Sequence, residues 1–249
     1  SFDHAVSRLG WCVQNFRGYQ KKILRDAFFE AFETYETGCA PVIQELNSGV
    51  RPERQTELLD RAAEAMLGEL SAGWEKKNDM EDEKVILAIF FVPMVRKLQL
   101  PVSEEFVSLL QKKWVERYPK SPFYLGDYES ISGGFRKKFL GLCFITTAVC
   151  QELGKPDDCA ELTAFRAFRD GYLAAQPDGE ALIREYYNIA PGIVTCINTC
   201  SDRHASYERI REQYLTPCYE DLLAGRNADC KTRYVQMAVS YTHLTLPTT

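Results

Sequence analysis

A chain of 249 residues with 45% hydrophobic and 26% charged residues has the make-up of an ordinary globular protein and can bury a sizeable core. Its formal charge of -5 comes from interspersed acidic and basic residues, so no broad basic field exists and nucleic acid is not expected as the main partner. The longest apolar runs, Val85 to Val95 and Phe139 to Cys150, fall short of the ~20 residues that cross a bilayer, so no membrane partner is expected.

Taken in order, the chain reads as helix after helix. Phe2, Val6, Leu9, Val13 and Phe16 recur at steps of four and three, which is one apolar helix face. Leu24, Phe28, Phe32 and Tyr35 form a second face that Gly38 can end, and Pro41 then starts a short helical turn closed by Asn47-Ser48-Gly49. Pro52 suits the first turn of a helix lined by Leu59, Ala62, Met66 and Leu70. Val85 to Leu98 is apolar nearly all round, a buried helix that Pro93 should kink. Ser103 is the expected N-cap of the next, with Val107, Leu110, Trp114 and Tyr118 inward.

Residues 119–134 hold prolines, glycines and the aromatics Phe123, Tyr124 and Tyr128, and are expected to be a packed loop and the boundary between residues 1–118 and 135–240. A helix from Phe135 to Leu153 should end at Gly154, followed by one that Pro156-Asp157-Asp158 caps and one that begins at Asp178 and stops at Pro191. Ser201 is the expected cap of a helix bent at Pro217 and ended at Gly225, and Asn227 of the last. No strand pattern interrupts the series. The expected fold is all-α, a bundle of about nine to ten helices divisible into two packed subdomains.

Tyr241 to Thr249 lacks helical period and resembles the translated adapter tail of metagenomic reading frames. Residues 241–249, His243 included, are therefore set outside the expected fold. The nine cysteines are odd in number and scattered through helical patterns, which predicts reduced, buried thiols in a cytoplasmic protein. No signal peptide opens the chain, although its first residue is not Met.

Cys143-Phe144-Ile145 is followed by Phe165-Arg166-Ala167-Phe168-Arg169-Asp170, then Tyr186-Tyr187 and Ala190-Pro191. This order resembles the CFI-box C-terminal domain of uncharacterised bacterial proteins over about residues 143–197. Val149-Cys150-Gln151-Glu152 departs from that family's small turn after the box. The resemblance implies a compact helical module and no particular reaction.

Three functional readings follow from the residues. A nucleophilic Cys143 would need a base or a lowered pKa, and none of the three histidines sits in a Cys/His signature, so Cys143 is expected as a buried hydrophobe. Its neighbours Thr146 and Thr147 are expected to bond back to helix carbonyls. Arg166 and Arg169 could instead clamp an anion with Tyr186 or Tyr187, although an ion pair between Arg166 and Asp170, one turn apart, is the plainer expectation. Cys196, Cys200 and His204 would share a stripe on one unbroken helix, a soft-metal or redox-sensing set without a fourth ligand. No phosphate-binding, dinucleotide-binding, zinc-protease or nucleophile-elbow motif is present. The leading expectation is a non-enzymatic module, without cofactor, that binds another protein or plays a structural or regulatory part.

Overall fold

The computed structural model describes residues 1–136 and 143–244, the side chains of 242–244 excepted, and these residues contain helices and no strand. The expected first helix is two short ones, α1 (Phe2–Val6) and α2 (Trp11–Gln14). The break falls before Gly10, where a Cβ would lie 2.3 Å from the Glu69 carboxyl carbon. Leu9, Val13 and Phe16 remain buried all the same. A 3₁₀ turn, Tyr19–Lys22, follows Gly18 at φ +100°.

Helix α3 (Phe28–Gly49) runs unbroken through Gly38 and Pro41, where two helices were expected. Pro41 lies on the solvent side, and so does Thr37, whose carbonyl loses its helical partner to the ring and can turn to water. On the other side Phe32, Tyr35, Cys39, Val42, Ile43 and Leu46 form a continuous buried stripe that outweighs the break. Helix α4 (Gln55–Ala72) buries Leu59, Ala62, Met66 and Leu70 as their spacing predicts.

The apolar run forms α5 (Asp79–Ile86), a π turn (Leu87–Phe91) and α6 (Val92–Lys97), with Pro93 in the first turn of α6. The wider turn makes room for the proline ring while Leu87 to Val95 stay wholly buried, Pro93 among them. In α7 (Ser103–Arg117), Ser103 is the first helical residue and not the N-cap. Its hydroxyl donates to the Val95 carbonyl at 2.7 Å and accepts from the Leu100 amide at 3.1 Å, tying α7 to the end of α6.

The expected loop over 119–134 is half helix, α8 (Tyr128–Arg136). Asp127 starts it by accepting the Ser130 amide at 2.8 Å, and Phe135 holds it by stacking on Phe28 at 4.3 Å, in spite of Gly133 and Gly134. Residues 137–142 of the helix expected from Phe135 lie outside the described residues. Helix α9 (Phe144–Glu152) then ends at Gly154, φ +67°, as expected.

Cys159, not the Pro156–Asp158 segment, precedes α10 (Ala160–Ala167), which passes into a π turn, Phe168–Leu173. Helix α11 (Gly179–Cys200) continues through Pro191, where it was expected to stop. Ala190 to Ile193 are buried, and Gly192 lets the helix approach the Ile23 carbonyl so closely that a Cβ would sit 2.1 Å from its oxygen. Asp202, not Ser201, caps α12 (Arg203–Ile210) by accepting the Ala205 amide. A π turn (Arg211–Leu215) leads into α13 (Thr216–Leu223), and α14 (Asn227–Leu244) closes the fold. Helix α14 overruns the expected end at 240: Tyr241 is buried and meets Tyr214 edge-on at 6.0 Å. Residues 245–249 lie outside the described residues.

The buried apolar residues fall into two clusters, one from α1–α8 and one from α9–α14. Helix α11 serves both, because Cys196 and Cys200 join the first cluster while Tyr186, Ala190, Ile193 and Ile197 belong to the second. Backbone bonds cross the seam: the Arg25 amide donates to the Asn188 carbonyl at 3.0 Å and the Tyr124 amide to the Thr199 carbonyl at 2.7 Å.

Candidate functional site

Cys143 stands just before α9 and is buried, as expected of it. The π turn after α10 carries Arg169 to it, and α11 brings Tyr186 and Tyr187. All three nitrogens of the Arg169 guanidinium are engaged. Nε and Nη2 donate to the two carboxylate oxygens of Asp170 at 2.6 and 2.8 Å, while Nη1 donates to the Tyr187 hydroxyl at 3.1 Å and to the Cys143 sulfur at 3.7 Å.

Arg166 does not join this cluster, nor does it pair with Asp170. It turns the other way and donates to the backbone and side-chain oxygens of Asp157, both at 2.8 Å. The π turn is the physical reason, because a widened turn re-phases the side chains that regular α spacing would have stacked. Tyr186 accepts the Ile145 amide at 3.0 Å, satisfying an N–H that the first turn of α9 leaves without a helical partner. Among the described residues the enclosed Thr146 and Thr147 hydroxyls do not bond back to helix carbonyls, and the Thr146 hydroxyl faces that of Tyr234 instead.

The charges are settled within the cluster. Asp170 holds the Arg169 guanidinium above its ordinary value, and Arg169 holds the Asp170 carboxyl below the usual carboxylate range. Burial pushes the Cys143 thiol up, and the nearby arginines oppose the shift without reversing it. Burial likewise raises the Tyr186 and Tyr187 hydroxyls. A neutral thiol with no base beside it is a poor nucleophile. Of the histidines whose side chains are described, His4 pairs with Glu45 and His204 with Glu152. His243 lies outside that set.

Beside the cluster is a cavity of about 80 Å³. Its walls are mostly apolar, Phe165, Phe168, Ile183 and Val235 among them, and Cys143, Arg169, Glu185, Tyr186 and Tyr234 also line it. Tyr234, on α14, packs its ring 5.5 Å from that of Tyr186. The sequence marks Tyr234 only as one inward position of the last helix.

Cys196 and Cys200 sit on the last turns of α11, but the helix ends there and Ser201 is extended. His204 therefore starts a new helix with its side chain largely in solvent, and the three do not converge. Among the described residues no three His, Cys, Asp or Glu side chains are placed to hold a metal ion.

A buried ionic group in the second half of α5 was not foreseen. Glu83, wholly buried, accepts Trp74 Nε1 at 2.7 Å and Arg17 Nε at 2.8 Å, while Lys84 Nζ donates to the Ser121 hydroxyl at 2.7 Å and pairs with Glu81 at 2.6 Å. The acidic run Asp79 to Glu83 resembles a solvated helix start, and only its junction with the apolar run hints at burial.

No family model matches the chain, and neither a curated protein nor a solved structure is similar enough to it to count as a match.

Proposed function

We propose that this chain is a non-enzymatic helical binding module, in which the Cys143 cluster braces the second core and the adjoining cavity takes the apolar end of a small neutral molecule. The observation that carries the reading is the state of Arg169, whose three nitrogens already serve Asp170, Tyr187 and Cys143. An incoming anion would have to displace a bidentate carboxylate, and a substrate would meet an unactivated thiol. A cavity of about 80 Å³ is smaller than the ~150 Å³ apolar cavity that holds benzene, so part of the ligand would extend beyond it.

The aromatic residues of the 119–134 segment offer less support for a protein partner. Phe123 is fully buried, and Tyr128 packs on Phe32 at 4.6 Å beneath the Lys97 ammonium, which leaves Tyr124 exposed. Benzyl alcohol and benzoate form a matched neutral and anionic pair of probes. Calorimetric titration should show the alcohol binding and the Val235→Trp variant losing it by filling the cavity. Tighter binding of benzoate, lost in Arg169→Met, would restore the anion site. Binding of neither probe would remove the cavity from the account.

A further inference from the structure

The cysteines are scattered along the sequence, yet eight of the nine fold beside another cysteine. The Cys150 and Cys159 sulfurs lie 3.8 Å apart. Cys39 points its thiol at the Cys12 carbonyl at 3.8 Å. Cys218 points its thiol at the Cys230 carbonyl, again at 3.8 Å from sulfur to oxygen. Cys196 and Cys200 neighbour each other on α11. The ninth, Cys143, meets Arg169 instead. A buried side chain touches ~10 others, so nine cysteines placed at random in such a chain would give about one or two touching pairs, not four.

The pairs differ in what they can do. Cys196 and Cys200 are four apart on one helix, which holds their Cβ atoms ~5–6 Å apart, beyond the ~3.5–4.5 Å a disulfide needs. The other three each join two different helices or a helix to its flank: α2 to α3, α9 to the residue that precedes α10, and α13 to α14. The Cys150 and Cys159 sulfurs already stand 3.8 Å apart, and in the other two pairs each donor sulfur reaches its partner's own carbonyl, so each pair meets across two separate segments and not along one helix.

We propose that Cys12 with Cys39, Cys150 with Cys159, and Cys218 with Cys230 are three sites of oxidative crosslinking, while Cys143, Cys196 and Cys200 stay as thiols. The oxidant is a disulfide, either a small molecule or a protein. One cysteine thiolate attacks it and expels a thiolate, forming a mixed disulfide. The second cysteine, once deprotonated, attacks its neighbour's sulfur and expels the other half. The two cysteines lose two protons and two electrons, and the oxidant leaves as two thiols. Cys159 is the more exposed member of the most accessible pair, and the buried pairs close during folding. This reverses the expectation of reduced thiols in a cytoplasmic protein, since such crosslinks persist in oxidising surroundings.

The test is to refold the reduced full chain in a glutathione buffer rich in the oxidised form, block free thiols with N-ethylmaleimide, and map non-reduced peptides by mass spectrometry. The expected map has these three bridges and three blocked cysteines, and dithiothreitol returns all nine to the blocked form. Cys159→Ser should leave Cys150 blocked or glutathionylated, with the other two bridges intact. Nine blocked thiols, glutathione adducts in place of bridges, or bridges joining other cysteines would overturn the proposal.

Discussion

Phe90 in the first core stands among the rings of Tyr19, Phe28, Phe32 and Tyr35, with centroids 5.5 to 6.1 Å away. The second core has Tyr186 in the corresponding role, touching Tyr187 and Tyr234 at 5.8 and 5.5 Å. A phenylalanine core asks only for apolar neighbours and close packing. A tyrosine core must also give each hydroxyl a partner, and the partners found are a helix-end amide for Tyr186 and a guanidinium for Tyr187. Those polar demands fix directions, and the second core leaves a cavity beside them. Around Phe90 packed rings dominate, whereas around Tyr186 a polar network joins the ring packing.

The contrast can be broken most severely at Phe90. Phe90→Ala should cost ~3–5 kcal/mol in urea unfolding, because the ring is wholly buried and its removal leaves a cavity among four other rings. Arg169→Met should cost less, ~1–3 kcal/mol, by removing the guanidinium that the Tyr187 hydroxyl, the Cys143 sulfur and the Asp170 carboxylate share. A double-mutant cycle with Tyr187→Phe should then show coupling, whereas two changes to simple packing at separate positions would add.

Acidity acts with opposite sign on one buried carboxylate of each half. In the second, Asp221 accepts from Arg226 at 2.7 Å and Arg233 at 3.0 Å, and Arg226 chiefly holds its carboxyl below the usual range. Its contribution is present above the unfolded carboxylate value, ~3.9, and is lost as pH falls through the folded value. In the first, burial raises the Glu83 carboxyl in spite of Trp74 and Arg17, although Arg17 is itself held up by the pair. The complete burial of the Glu83 side chain supports the upward direction. Stability from that group is therefore fullest below its unfolded value, ~4.3, and falls as pH rises through the folded value. Chemical denaturation of Asp221→Asn and Glu83→Gln across acid pH should flatten the profile in opposite directions. Smallest of all, Cys143→Ala should cost about 1 kcal/mol, the loss of a small buried group.

The apolar periodicity of α4 and α7 was legible because burial there follows helix spacing alone: Leu59, Ala62, Met66, Leu70, Val107, Leu110 and Trp114 all lie inside. Pro41 and Pro191 misled because a local breaker competes with a buried stripe on either side of it, and tertiary packing won at both. Cys143, Arg169, Asp170, Tyr186 and Tyr187 could be grouped from their order in the chain. The exclusion of Arg166 could not, since it depends on a π turn that α-helical spacing does not announce. Tyr234 and three of the cysteine pairs were hidden for a simpler reason. They meet only when helices distant in the chain, or separated by turns, are laid side by side.

The rate at which Cys143 reacts with iodoacetamide in the native full chain, followed by peptide mapping at mildly alkaline pH, reports on whether its sulfur is enclosed. Enclosure behind Arg169 predicts labelling at least ~1000-fold slower than in the urea-unfolded chain, limited by opening of the second core. Labelling of native Cys143 as fast as that of an unfolded thiol would contradict a bracing role and reopen the cluster as a reactive centre.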